Sequence, residues 1–286
     1  MTDTLRRIDS HLHLWDLTVS DYDWLGPDNG ELFASFSPAH AEAELSAFGI
    51  SGAVLVQAED SLVDTTYLLD VAAHSNWVLG VVGWVPLDDP GAAIAQLEKW
   101  EQYPEFCGVR HLIHIDLRDG FLERESVRQS LLVLASRGIP IDVPDAWPRY
   151  LSDVISLAAA LPGLPIVIDH LGKPPRGTDQ LGAWRDELAR LAAHPSTVAK
   201  VSGLRVSGQP YTADALAFVW DTALELFGAE RLMWGSDWPM SIPEGGYAPT
   251  AGILDELVSQ LSVDEQQAIL ADTAIRTYRL WKSAKI

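Results

Sequence analysis

Short apolar, β-branched runs recur along the chain. Between them lie segments whose apolar residues return every three or four positions. The runs predict strands over residues 8–14, 52–58, 78–85, 109–115, 139–143, 165–170, 197–202 and 231–236. A helical pattern over 38–48 has Ser37 as N-cap and Pro38 in its first turn, and 90–100 opens the same way on Asp89 and Pro90. Further helical stretches cover 181–194, 213–227 (stopping at Gly228) and 254–261. A last helix starts at Ser262, where Ser262 and Glu265 have capping-box spacing.

Runs such as Val54-Leu55-Val56 and Ile166-Val167-Ile168 are apolar at every position, as in strands covered on both faces of a parallel sheet. Eight strands, each followed by a helix, predict an α/β fold, a (β/α)8 TIM barrel with an additional C-terminal helix, spanning residues 1–286 as one domain. The length of 286 residues suits that barrel, for which about 250 is typical. No G-x-G-x-x-G follows the first run, which removes the commonest signature of an open dinucleotide-binding sheet.

A barrel of this kind carries its chemistry where the strands end. The first strand holds His11 and His13 in Asp9-Ser10-His11-Leu12-His13. The strand period of two turns both imidazoles the same way, with Ile8, Leu12 and Leu14 on another face. Two imidazoles on one face can grip one metal ion or line one end of a pocket. The later strand ends add Gln57 and Glu59, then Arg110, His111 and His114, then Asp142 and Asp145. Asp169, His170 and Lys173 follow, then Lys200 and Ser202, and last Ser236 and Asp237. Each has an ordinary structural role when taken singly: a buried histidine, a turn-capping aspartate, a solvated lysine. Together they describe one basin of imidazoles, carboxylates and cations.

Charge narrows the partners. Twenty Lys and Arg against forty Asp and Glu leave a net charge of −20. That disfavours nucleic acid, which needs a basic face, and long-range capture of anions, but not a neutral substrate. No stretch approaches the ~20 apolar residues of a membrane helix, so no membrane partner is expected. The first ten residues carry no apolar core of a signal peptide, and the lone Cys107 excludes an internal disulfide, so a cytoplasmic setting is expected. Assembly into a homo-oligomer stays open. Eleven tryptophans are enough for the core and for some pocket walls.

Several segments resemble the amidohydrolase superfamily, and within it the sugar-lactone hydrolase (fuconolactonase-like) branch. They are residues 9–15, Tyr22-Asp23-Trp24-Leu25, Val54-Leu55-Val56-Gln57-Ala58, Val81-Val82-Gly83-Trp84-Val85 and Gly108-Val109-Arg110-His111. The others are Ile168-Asp169-His170-Leu171-Gly172-Lys173-Pro174, Lys200-Val201-Ser202-Gly203-Leu204 and Arg231-Leu232-Met233-Trp234-Gly235-Ser236-Asp237-Trp238-Pro239. They follow in order over nearly the whole chain. The resemblance implies a (β/α)8 barrel that opens a cyclic ester, with a neutral sugar lactone as its small-molecule partner. His11 and His13 match the first-strand pair, His170 the sixth-strand histidine and Asp237 the eighth-strand aspartate. Arg110 and Lys173 match positions expected to hold substrate.

On that basis Asp237 is the expected general base, with His11, His13 and His170 stabilising the oxyanion. Arg110, Lys173, Gln57 and Asp142 are expected to bind sugar hydroxyls, with Trp24, Trp84 and Trp238 as stacking faces. Two-metal members of the superfamily carry a lysine or glutamate on the fourth strand and a histidine on the fifth. This chain has neither. At most one divalent ion is therefore expected, zinc foremost, held by His11, His13 and Asp237; a metal-independent site is the alternative. Two other readings stand beside lactone hydrolysis: a metal-dependent non-oxidative decarboxylase of the same superfamily, and a barrel that binds a sugar lactone without turning it over.

Overall fold

A computed structural model describes residues 5–283. It contains eight parallel strands in consecutive order. They are β1 (Ile8–Leu12), β2 (Gly52–Val56), β3 (Val78–Gly83), β4 (Phe106–Arg110), β5 (Ile141–Val143), β6 (Ile166–Ile168), β7 (Thr197–Val201) and β8 (Leu232–Trp234). The barrel closes between its first and last strands. Ser10 Oγ donates to the Trp234 carbonyl at 2.5 Å, Asp237 N to the His11 carbonyl at 2.9 Å, and His13 N to the Trp238 carbonyl at 2.8 Å.

Helices α1 (Pro38–Ala47), α2 (Leu62–His74), α3 (Pro90–Trp100), α4 (Glu125–Arg137), α5 (Leu151–Ala160), α6 (Leu181–Ala192), α7 (Ala213–Phe227) and α8 (Tyr247–Val258) follow the strands in turn. The expected caps form: Ser37 accepts from His40 N, and Asp89 from Ala92 N. The C-terminal extension runs from α9 (Val263–Gln267) through a π-helical turn into α10 (Thr273–Tyr278), with the Ser262–Glu265 capping box in place. It seats Tyr278 and Leu280 against the barrel floor beside Ile8, Val54 and Val82. No helix among the described residues is long and apolar enough to cross a membrane.

Three helices, α2, α4 and α5, have no distinct helical pattern in the sequence reading. α2 is rich in β-branched residues (Val63, Thr65, Thr66, Val71), which blur a helical signal. Instead of covering 109–115, β4 starts earlier and stops at Arg110. Beyond it His111 wedges between two aspartates, and Leu112 N donates to Asp60 Oδ1 at 3.0 Å rather than to a strand neighbour.

Candidate active site

Backbone turns at the strand ends aim the side chains. Asp145, His170, Leu171, Lys173 and Asp237 all have positive φ, between 44° and 66°. Such conformations cost free energy outside glycine and gather where a site needs them. Asp9, beneath the site, holds two ends together: Oδ1 accepts from His11 N at 3.1 Å and Ser236 N at 2.9 Å, and Oδ2 from the Tyr247 hydroxyl at 2.9 Å. Two glycines make room. A β-carbon on Gly235 would lie 2.4 Å from His11 Cβ, and one on Gly203 would lie 2.3 Å from His170 Nδ1.

These constraints bring His11, His13, His170 and Asp237 to one point. Asp237 Oδ1 lies 3.5 Å from His13 Nε2, 3.7 Å from His11 Nε2 and 3.9 Å from His170 Nε2. The Nε2 atoms of His11 and His13 are 3.1 Å apart. Burial works against charge on Asp237, but the imidazoles, His170 foremost, outweigh it and hold the carboxyl well below the usual range. Burial pushes His11 far down and His13 down.

The cluster fits one divalent ion. His11, His170 and Asp237 each offer a ligand atom, all within 4.8 Å of one another. Donors in a tetrahedral zinc site stand about 3.3 Å apart, given bonds of ~2.0 Å; the separations from Asp237 here run from 3.5 to 3.9 Å. The far nitrogens are anchored, as ligating imidazoles require. His13 Nδ1–H donates to the Val56 carbonyl at 2.7 Å, and His170 Nδ1 meets Ser202 Oγ at 2.9 Å. His11, His13 and Asp237, the ligands expected from the sequence, offer donor atoms within 3.7 Å of one another, and His170 stands beside them as a further donor.

A cavity of about 170 Å³ opens over this cluster. His13, His170 and Asp237 form its base, and Arg110, His114, Asp145 and Lys173 supply polar walls. Trp15, Trp24, Leu112, Ile115 and Met240 add apolar faces. Lys173 Nζ lies 3.6 Å from Asp145 Oδ2.

Residues 8–280 match the family model described as amidohydrolase. The chain belongs to the amidohydrolase family. It is 33% identical over 236 residues to a Burkholderia ambifaria protein named L-fucono-1,5-lactonase, covering 82% of this chain and 81% of that one. A Burkholderia multivorans protein of the same name is 32% identical, with 96% of each chain covered. Among solved structures, an amidohydrolase from Burkholderia multivorans with bound zinc superposes with a TM-score of 0.86 at 29% identity, covering 96% of this chain and 99% of that one.

Four expected contact residues of this amidohydrolase lie off the cavity wall. Asp142 is fully buried below the cavity, accepting from Lys200 Nζ at 2.6 Å and the Tyr278 hydroxyl at 2.7 Å. Gln57 is also buried; its Nε2 donates to Asp60 Oδ1 at 3.0 Å and the Arg110 carbonyl at 3.3 Å. Trp238 packs edge-on against Phe36, 5.4 Å between ring centres, and presents no face to the cavity. Trp84 stands beside His111, also off the cavity wall. Arg110 and Lys173 do line it, as does Trp24.

The sequence shows His114 and Asp145 only as strand-end residues; the cavity includes both. Lys200 has a larger part than a lysine reaching the rim. It is completely buried, paired with Asp142 at 2.6 Å and Asp169 at 3.0 Å. Arg110 joins the same set, 3.3 Å from Asp169 Oδ2, with Nη2 donating to the Gln57 carbonyl at 2.6 Å. The signal available in the sequence was a charged residue inside an otherwise apolar strand.

Proposed function

We propose that this amidohydrolase is an ester-bond hydrolase that opens a sugar-acid lactone to the hydroxy acid. The observation that carries the reading is the anionic Asp237 carboxylate facing three imidazole Nε2 atoms within 3.9 Å at the base of a cavity. Two relatives named L-fucono-1,5-lactonase support the substrate class. In this reading the whole chain works as one domain in the cytoplasm.

Asp237 accepts the proton of the attacking water, help worth about 10²–10⁴ in rate. Imidazole N–H groups and the Arg110 guanidinium face the oxygen that gains charge as the carbonyl becomes tetrahedral; one such contact is worth roughly 3–4 kcal/mol. The departing ring oxygen takes its proton from Asp237 or Lys173. Hydroxyls on the ring meet Lys173, Arg110 and Asp145, and its carbon face meets Trp24. A neutral lactone enters without the penalty that the chain's negative charge sets on an anion.

If a divalent ion is loaded, His11, His13, His170 and Asp237 are the groups to hold it, and zinc, the ion in the similar Burkholderia multivorans structure, is the first choice. It would supply Lewis acidity and a lowered water pKa.

A pH-indicator assay across sugar 1,4- and 1,5-lactones tests the reading. Acid release on at least one lactone is expected. Saturable binding with no turnover on any of them would make the barrel a binding protein. Proton uptake with carbon dioxide release from aromatic acids would make it a decarboxylase.

A further inference from the structure

The connection from β1 to α1, residues 13–37, is the longest of the eight that link a strand to its helix. Its base is closed, because Phe36 N donates to the Trp15 carbonyl at 2.8 Å. Its middle carries Trp24, one wall of the cavity. A connection of this length keeps one conformation only where something ties it down. Packing supplies part of the tie: Trp24 meets Trp15 edge-on, 5.4 Å between ring centres.

The rest comes from the connection after β2 and the first turn of α2. Tyr22, Asp23 and Trp24, three successive residues, each bond there. The Tyr22 hydroxyl donates to Asp64 Oδ1 at 3.0 Å, Asp23 N to Glu59 Oε2 at 3.1 Å, and Trp24 Nε1 to the Ala58 carbonyl at 2.7 Å. Ala58 is gripped from its other side, its N–H donating to Asp64 Oδ2 at 3.0 Å. One carboxyl thus spans the junction. One oxygen holds Tyr22, two residues before the indole, and the other holds Ala58, the partner of the indole N–H.

The ordinary role of an aspartate in a first helical turn does not account for this one. Asp64 N donates to Ser61 Oγ at 3.0 Å, so Ser61 caps the helix, and the Asp64 carboxyl is completely buried. It bonds uncharged donors, and burial pushes its pKa up to about 7. A carboxyl in such a place is costly. Protonation leaves the tie standing, since one oxygen still accepts from Ala58 N and the acid O–H can donate to the Tyr22 oxygen.

We propose that Asp64 is a positioning residue for substrate binding: by holding Tyr22 and Ala58 together it fixes the Trp24 indole at the cavity wall. A sugar ring then meets a surface set before it arrives, and binding is spared the cost of ordering that wall. Neither Asp64 nor Tyr22 lines the cavity, so both act on substrate through Trp24 and Ala58, which do.

The effect on KM rests on the lactonase reading; the placing of the indole does not, and it is measured without substrate. The test is nitrogen-15 NMR of the full-length protein labelled at tryptophan, with Trp24 assigned by its loss in Trp24→Phe. In the wild type the Trp24 indole N–H is expected to exchange slowly with water. In Asp64→Leu its signal is expected to shift and its exchange to quicken. Tyr22→Phe, a milder change, is expected to move it the same way. On a lactone that the wild type opens, Asp64→Leu is expected to raise KM about three- to tenfold with kcat little changed. Added to Trp24→Ala, the same substitution is expected to raise KM no further. A Trp24 signal unmoved in folded Asp64→Leu overturns the proposal, as does a further rise of KM in the double variant. Should Asp64→Leu not fold, an unmoved signal in Tyr22→Phe overturns it.

Discussion

Gly203 and His170 touch so closely that no other residue fits: a β-carbon at 203 would stand 2.3 Å from His170 Nδ1. The glycine also has a φ of +55°, which L side chains rarely adopt. Gly203→Ala is expected to push the His170 ring off Ser202 and away from Asp237. A fall in kcat of about 10²-fold is expected, in line with losing one stabilising contact, with the circular dichroism spectrum unchanged. Wild-type kcat in Gly203→Ala would remove His170 from the reaction.

Asp237→Asn keeps the shape of the side chain and removes the base. On a good lactone kcat is expected to fall about 10²–10⁴-fold. Binding of the hydroxy acid product, followed by calorimetry, is expected to persist. Near-normal turnover in a folded variant would rule out proton acceptance by Asp237.

Zinc added to chelator-treated protein is expected to raise the melting temperature, since a ligand that binds only the folded state stabilises it by about 2.7 kcal/mol at one hundred times its Kd. His170→Ala and Asp237→Ala are expected to abolish that shift, because both belong to the tight donor set. An equal shift in the variants would place the ion elsewhere.

His111 bridges Asp60 Oδ2 at 2.9 Å and Asp116 Oδ2 at 2.8 Å, and it stacks on Phe121. Burial opposes its charge, but the two carboxylates outweigh burial and raise its pKa. A raised histidine pKa stabilises the fold fully below the unfolded value of about 6.5, and the contribution is lost as pH rises through the folded value. His111→Gln is expected to cost about 2–3 kcal/mol near pH 6, by urea unfolding, and progressively less in alkaline solution. A difference that does not change with pH would show that His111 is uncharged in the native state.

Trp24→Ala is expected to raise KM about tenfold with little change in kcat, as for a wall that binds substrate and transition state alike. Trp238→Ala is expected to act on stability instead, because its ring is buried against Phe36. The reverse pattern would exchange the two roles.

The barrel was legible because strands such as Ile166–Ile168 are apolar throughout, and helices opening on Ser37, Asp89 and Ser262 carry their caps in the sequence. The clustering of His11, His13, His170 and Asp237 was legible because each stands at or just past a strand end. Depth was not. Asp142 lies within β5, one layer below the mouth, and only the fold shows that it faces Lys200 rather than solvent. Gln57 stands past its strand end, but Asp60 and the Arg110 carbonyl draw its amide inward. At Trp238 the chain has just turned through the positive φ of Asp237, which sends the ring under Phe36. A one-dimensional period cannot register such a turn.

The ionic group beneath the cavity, Lys200 with Asp142, Asp169 and Arg110, is borne by strands four to seven and their ends, while Leu112, Ile115 and Met240 hang on the connections above. Foundation and rim are thus separable parts. Connections grafted from a cousin barrel should reshape what enters this one while the machinery below runs unaltered.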